Sequence, residues 1–83
     1  MAKNLKTVIE LEAMILKELR AIPKCVGVSM VTVRPMVDGR GNPDWKIGHV
    51  NYGTAFEEDC NRSLRQITER LRSEFTLARK YGR

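Results

Sequence analysis

The sequence predicts an α+β domain in which two amphipathic helices flank one β-hairpin, in the order helix–strand–strand–helix. Apolar residues recur at helical spacing over about residues 4–22 and again over about 55–81. Between these stretches, residues 25–52 contain two segments rich in β-branched and aromatic residues around a dense turn. A chain of 83 residues fits one domain, which we take to span residues 1–83.

The first predicted helix ends before Pro23, because the residue before a proline avoids the helical region of backbone conformation. Two positions are candidates for its N-cap. Asn4 is one candidate, and a capping box formed by Thr7 and Glu10 is the other. On a helical projection, most apolar side chains of this segment share one broad face.

Glu12 interrupts the apolar face of this helix. One interpretation makes it a buried carboxylate that pairs with an arginine or with the indole N–H of Trp45. The interpretation that we favour places it at a rim between two apolar stripes, because unpaired buried carboxylates are rarely tolerated. One stripe then packs in the core. The other includes Leu11 and Met14, and we expect it to contact a partner protein or a second copy of the chain.

The predicted hairpin consists of two strands and a polar turn. The first strand covers residues 26–33, where β-branched residues dominate, and Pro35 ends it or lies at a sheet edge. Residues 38–44 form the turn, and residues 45–52 form the return strand. The apolar phase of the first strand changes near Met30, which indicates either a β-bulge or a hairpin covered on both faces.

Simple alternation assigns the side chains of the return strand to two faces. Trp45, Ile47 and His49 lie on one face in this prediction. Val50 and Tyr52 lie on the other. A single hairpin also leaves two unpaired strand edges, so that edge pairing is a second route to a homodimer.

The second predicted helix opens with a capping box over residues 54–57, followed by acidic residues that suit the positive end of the helix dipole. A narrow apolar stripe runs from Cys60 to Ala78, and Gly82 stands where a C-cap glycine is common. The core is predicted to draw on both helices and the hairpin, through Leu16, Leu19, Trp45, Leu64, Ile67 and Leu71.

Arg65, Arg72 and Arg79 recur every seven residues along this helix. Their spacing of roughly 10 Å suits contacts with phosphates, which makes sequence-independent nucleic-acid binding the alternative function. The simpler interpretation is a solvated helix face on which arginine stems cover apolar edges and pair with Glu69. We favour the simpler one, since no base-reading or stacking motif accompanies the arginines. A net charge of +5, spread along the chain, is weak evidence for a nucleic-acid partner. Because no groups are placed to read bases, we expect any nucleic-acid binding to be weak and independent of sequence.

Composition and cysteine content narrow the class of protein. Apolar residues at 42% and charged residues at 30% fit a globular domain. No apolar run approaches the ~20 residues that cross a bilayer, and the amino terminus lacks the apolar centre of a signal peptide. We therefore expect a cytoplasmic protein with no membrane partner, in which Cys25 and Cys60 are reduced. With His49, these are three widely spaced candidate ligands, so we expect no metal, no cofactor and no catalytic residue.

Several residues resemble a group of short bacterial proteins that have no established activity. The resemblance rests on Trp45, on Gly53, on Arg34-Pro35 at the end of the first strand, and on residues 60–67, which read Cys-x3-Leu-Arg-x-Ile. It covers about half the chain and implies a compact α+β domain of the bacterial cytoplasm. With the composition, it favours a small non-enzymatic binding or accessory module that acts through protein contacts.

Overall fold

A computed structural model describes residues 4–77 and contains two helices and four strands. Both helices pack on one face of an antiparallel hairpin, as the α+β prediction requires. A pair of short strands that the sequence did not predict joins the two ends of the described chain in parallel. The elements in chain order are β1 Asn4–Lys6, α1 Val8–Arg20, β2 Met30–Val37, β3 Pro43–Asn51, α2 Glu57–Glu74 and β4 Phe75–Leu77.

Helix α1 begins at the second of the two predicted N-caps. The hydroxyl of Thr7 accepts from the N–H of Glu10 at 3.1 Å, and the Glu10 carboxylate accepts from the N–H of Thr7 at 2.9 Å. This capping box satisfies two helix-terminal donors that would otherwise lack partners. Asn4 is not the cap, since it lies in β1 and pairs with Phe75. The helix ends at Arg20, and Pro23 opens a short 3-10 turn.

The core lies between the helices and the inner face of the hairpin. Trp45 is fully buried, and its indole N–H donates to the carbonyl of Phe75 at 3.3 Å. Of the predicted core residues, Leu16 and Ile67 are half-buried at the edge of the core. The other four, namely Leu19, Trp45, Leu64 and Leu71, are buried as predicted.

Glu12 bonds to the hairpin and not to an arginine or an indole. Its carboxylate accepts from the backbone N–H of Val33 in β2 at 2.8 Å. Val33 stands opposite Ile47 in the hairpin, yet its N–H bonds to the helix rather than to β3. The side chain of Glu12 therefore covers part of the outer edge of β2, an edge that the sequence analysis left free.

Strand β3 contains a β-bulge that sets the faces of the hairpin. Val31 pairs with Val50, whereas Val33 pairs with Ile47, so two residues of β3 stand opposite the single residue Thr32. The Thr32 hydroxyl accepts from the N–H of His49 at 2.7 Å and donates to the carbonyl of His49 at 3.2 Å. The bulge expected near Met30 thus lies on the return strand.

The bulge overturns the predicted faces of β3. Beyond it, the side-chain phase shifts by one residue, so Val50 and Tyr52 lie on the inner face with Ile47. His49 is exposed on the outer face. Simple alternation fails here because it assumes an unbroken period of two, and one extra residue reverses every later assignment.

Both ends of α2 differ from the prediction. The N-cap is Phe56 and not Thr54, and no side chain caps the helix there. The helix ends at Glu74, because Phe75 has an extended backbone with φ −129° and ψ 144°. The hydroxyl of Thr76 donates to the carbonyl of Pro43 at 3.1 Å, which ties β4 to the hairpin. Residues 78–83, including the predicted C-cap Gly82, lie outside the described residues.

Two glycines allow the chain before β2 to cross the chain before α2. Gly53 has φ +57°, and a Cβ there would lie 2.2 Å from the carbonyl oxygen of Gly27. A Cβ on Gly27 would lie 2.9 Å from the backbone nitrogen of Ala55. Both positions require glycine because larger side chains would separate the two segments.

Cys25 and Cys60 are joined by a disulfide, which corrects the prediction of two free thiols. Their Cα atoms are 5.7 Å apart, within the usual range for a disulfide. Cys25 ends the 3-10 turn, and Cys60 lies in the first turns of α2. The 35-residue sequence separation gave no indication of this contact, since it arises only when the turn packs against the helix.

Reduction of the disulfide should lower the free energy of unfolding by about 2–4 kcal/mol, because the unfolded chain regains the entropy of an open loop. Urea unfolding with and without a reductant measures the change. A protein with Cys25→Ser and Cys60→Ser should match the reduced wild type. Two thiols that alkylate in urea without any reductant would contradict the disulfide.

Replacement of Glu12 should show the cost of an uncovered strand edge. We expect Glu12→Ala to lower the free energy of unfolding by about 1–3 kcal/mol, because the N–H of Val33 loses its acceptor. Glu12→Gln keeps an acceptor oxygen and serves as the matched control, with a smaller loss. The Val33 amide should exchange faster with solvent in the alanine variant alone. Equal effects of the two substitutions would contradict this role.

Candidate binding site

A groove of about 320 Å³ opens between the second half of β3 and the helix α2. Its floor is apolar and is formed by Ile47, Val50 and Leu64. Helix α2 also contacts α1 and, through the Cys25–Cys60 disulfide, the turn after α1. The remaining lining comes from one aromatic residue and the polar face of α2, namely Tyr52, Asn61, Arg65, Thr68, Glu69 and Arg72.

Tyr52 forms one wall of the groove. Its hydroxyl stands 3.4 Å from the side-chain oxygen of Asn61, at the long end of the range for a hydrogen bond. Burial raises the pKa of Tyr52 above its usual value, and the charge of Glu57 raises it further. The phenol is therefore neutral near pH 7 and, with its proton directed at Asn61, offers an acceptor oxygen beside the apolar floor.

Arg72 is fixed at one end of the groove by Asp44. The guanidinium contacts both carboxylate oxygens, with Nη2 at 2.6 Å and Nε at 3.3 Å. This pairing is the main reason that the pKa of Arg72 is raised, and the charge of Glu69 acts in the same direction. Asp44 also accepts from the N–H of Trp45 at 2.8 Å. Arg72 is therefore a half-buried element of the fold that links α2 to β3.

The three predicted arginines do not form a continuous exposed row. Arg65 is exposed at the rim of the groove, and it makes no ion pair within residues 4–77. Arg72 is engaged by Asp44, contrary to the expectation that it is solvated. Arg79 lies outside the described residues. A further arginine of this helix, Arg70, pairs with Glu18 and so joins the two helices.

The predicted partner surface on α1 needs correction. Leu11 is fully buried, with Ile15 and Leu19 below it, and cannot contact a partner. Met14 is half-buried against the core. Leu11 belongs to the core face of α1 and not to a free stripe, whereas Ile9 is 76% exposed. A homodimer through Leu11 is thereby excluded, and a homodimer as such stays a prediction.

A second surface, the outer face of the hairpin, was missed in the sequence analysis. Here Arg34 and Lys46 are directly opposite each other across the two strands, and both are exposed. His49 and Asn51 are exposed on the same face. The pairing could not be read from the sequence, since it depends on the register of the hairpin, which the bulge alters.

The hairpin turn contains no cation site. The carboxylate of Asp38 accepts from the backbone N–H groups of Asn42 and Arg40. These two hydrogen bonds lower the pKa of Asp38, and the bond from Asn42 has the larger effect. Among residues 4–77, no three His, Cys, Asp or Glu side chains are close enough to share a metal ion. In the same part of the chain, neither helix is both long and apolar enough to cross a membrane.

Comparison with known protein families, with curated proteins and with solved structures gave no significant match. The resemblance to short bacterial proteins therefore stays a prediction. Function has to be inferred from the groove and from the outer face of the hairpin.

Proposed function

We propose that this protein is a small non-enzymatic binding module that holds a segment of a partner protein in the groove between β3 and α2. The segment would insert an apolar side chain against the floor and place a carboxylate beside Arg65. The observation that supports this most is the apolar floor of Ile47, Val50 and Leu64, which is open to solvent in a groove of about 320 Å³.

The groove floor favours an apolar ligand, because a bound apolar side chain would remove the apolar surface of the floor, together with its own, from water. Ile47 and Val50 are half-buried and Leu64 is 4% exposed, so an inserted side chain would complete their coverage. The neighbouring hydroxyl of Tyr52 and amide of Asn61 supply polar contacts at the rim. Such a combination of apolar floor and few polar groups is typical of recognition pockets.

The charges at the rim favour an acidic neighbour for the inserted side chain. Arg72 has two carboxylates close by, from Asp44 and Glu69. Arg65 has no ion pair within the described residues, and it stands at the same rim. A partner carboxylate near Arg65 would gain a charge-assisted hydrogen bond without displacing an existing pair.

The alternative function, nucleic-acid binding through the arginines of α2, has less support. It needs Arg65, Arg72 and Arg79 as equivalent contacts, but Arg72 is held by Asp44. The cytoplasmic location that we predict also stays a proposal. It conflicts with the disulfide, because the thiol pools of that compartment keep most protein cysteines reduced.

Selection of peptides of about 12 residues from a random display library tests the proposal. We expect enriched peptides to share an apolar residue close to Asp or Glu. On titration, the NMR signals of Val50, Tyr52 and Leu64 should shift most. Val50→Glu should weaken binding at least about tenfold, because it puts a charge on the apolar floor.

Val37→Glu is the matched control, since Val37 is 64% exposed at the tip of the hairpin and outside the groove. Arg65→Glu should change the preference of the selected peptides from acidic to basic residues. Failure to enrich any peptide would overturn the proposal. It would also fail if the NMR shifts mapped away from the groove, or if the Val37 variant lost binding equally.

A further inference from the structure

The outer face of the hairpin places two cations against each other without a counter-charge. Arg34 and Lys46 are cross-strand partners, and neither makes an ion pair within residues 4–77. Like charges directly opposite each other destabilise a sheet. A pair that lowers stability at an exposed position indicates that the charge serves another purpose.

The acids that lie along this part of the hairpin are already engaged. Glu12 accepts from the backbone N–H of Val33, the residue before Arg34. Asp44 is bound by Arg72 on the side of α2. Asp38 accepts two backbone N–H groups within the turn. The neighbouring polar groups of the face, from Thr32, His49 and Asn51, carry no negative charge. The face is therefore cationic near neutral pH.

Gly48 holds Arg34 in position on this face. A Cβ at Gly48 would lie 2.5 Å from Cγ and 2.8 Å from Cδ of Arg34, so the arginine stem crosses the strand where a side chain is missing. A stem packed in this way loses less freedom when the guanidinium binds a ligand than a free arginine would. The cationic pair is thus partly preorganised.

Arg40 extends the cationic surface to the tip of the hairpin, where it is exposed. At roughly 3.3 Å per residue, it lies about 10 Å or more beyond the Arg34–Lys46 pair. From Arg34 to Val37 the strand β2 is exposed throughout, whereas its partner segment in β3 packs inward: Trp45 is buried, and the carbonyl of Pro43 accepts from the hydroxyl of Thr76. The outer side of this two-stranded ribbon is open, and a two-stranded ribbon is a shape that the major groove of a duplex accepts.

We propose that the outer face of the hairpin binds the phosphate backbone of double-stranded nucleic acid, through Arg34, Lys46 and Arg40 and without preference for base sequence. Arginine and lysine bind phosphates by charge, and release of counterions drives such binding. The face contains no acid or amide arranged to read a base edge beyond Asn51. An anionic membrane suits it less, because Asp38 at the tip would have to approach the lipid headgroups.

The affinity of the protein for a fluorescently labelled DNA duplex of about 20 base pairs tests this proposal. Fluorescence anisotropy measures this affinity at salt concentrations between about 50 and 200 mM. Two duplexes of unrelated sequence should bind alike. Arg34→Ala with Lys46→Ala should weaken binding at least about tenfold, and should reduce the slope of log K against log salt by about 2. The melting temperature of this variant should stay the same or rise, since it removes a repulsive pair.

Lys17→Ala with Arg20→Ala is the matched control, because it removes two exposed bases from α1 and changes the net charge equally. This control variant should lower the affinity for the duplex by less than about threefold, because salt screens charges that lie far from the binding face. Gly48→Ala should weaken binding while keeping every charge, because it displaces the stem of Arg34.

An equal loss in the α1 control variant would overturn the proposal in favour of a diffuse charge effect. So would a strong preference for one duplex sequence, or no binding at the lowest salt. A second measurement, of binding to vesicles of phosphatidylcholine and phosphatidylserine in a roughly 2:1 ratio, tests an anionic membrane as the ligand. Vesicle binding that needs Arg34 and Lys46, without duplex binding, would assign the face to membranes instead. None of these outcomes bears on the peptide groove, which lies on the opposite face of β3.

Discussion

The β-bulge of β3, which lies opposite Thr32, determines which side chains of the hairpin face the helices. The hydroxyl of Thr32 stabilises this bulge. It bonds to both the N–H and the carbonyl of His49, and so replaces the ladder bonds that the bulged strand cannot make. The extra residue keeps Ile47, Val50 and Tyr52 on the inner face. Without it, Val50 and Tyr52 would point to solvent, and the groove beside α2 would lose its floor.

The same bulge shapes the opposite surface of the hairpin. Gly48 is part of it, and the missing side chain leaves space for the stem of Arg34. One irregularity of β3 therefore supports an apolar groove on one face and a cationic pair on the other. Bulges that re-aim side chains are common next to binding sites, because regular strands offer only alternation. A protein of this size has few other ways to make two unlike surfaces.

The fold also depends on contacts that close its edges and ends. Glu12 covers part of the outer edge of β2, and the parallel pair of β1 and β4 fastens the two ends of the described chain. The disulfide ties the turn after α1 to the start of α2. These contacts act together on a chain whose small core supplies little stability alone. Glu12 thereby covers part of a strand edge that we had assigned to a homodimer, and Leu11 lies in the core.

The sequence allowed prediction of the elements that depend on local pattern. The capping box of Thr7 and Glu10, the turn after Val37 and the buried stripe through Leu64 and Leu71 all follow from short-range spacing. The pairing of β1 with β4, the disulfide and the early end of α2 did not, because each is a contact between distant segments. The apolar periodicity of the sequence predicted that α2 continues past Glu74. In the structure the backbone of Phe75 is extended, and its carbonyl accepts from the indole N–H of Trp45.

The candidate surfaces were the least predictable part. Arg65 was found from helical spacing, but Val50 and Tyr52 were assigned to the wrong face because no rule located the bulge. The cross-strand pairing of Arg34 with Lys46 depends on the same register of β2 against β3. The sequence Gly48-His49-Val50 does not reveal which residue is the extra one in the bulge. The stability of each possible strand register depends on how the side chains pack against the helices.

A nuclear Overhauser spectrum of the protein with labelled methyl groups tests the placement of the bulge most directly. We predict cross-peaks from the methyl groups of Val50 to the side chain of Leu64, and from the ring of Tyr52 to the side chains of Leu64 and Asn61. The ring of His49 should show none to either residue. Cross-peaks from His49 to Leu64, with Val50 and Tyr52 free of contacts to α2, would contradict the account, because the hairpin would then be regular and both surfaces would be wrongly assigned.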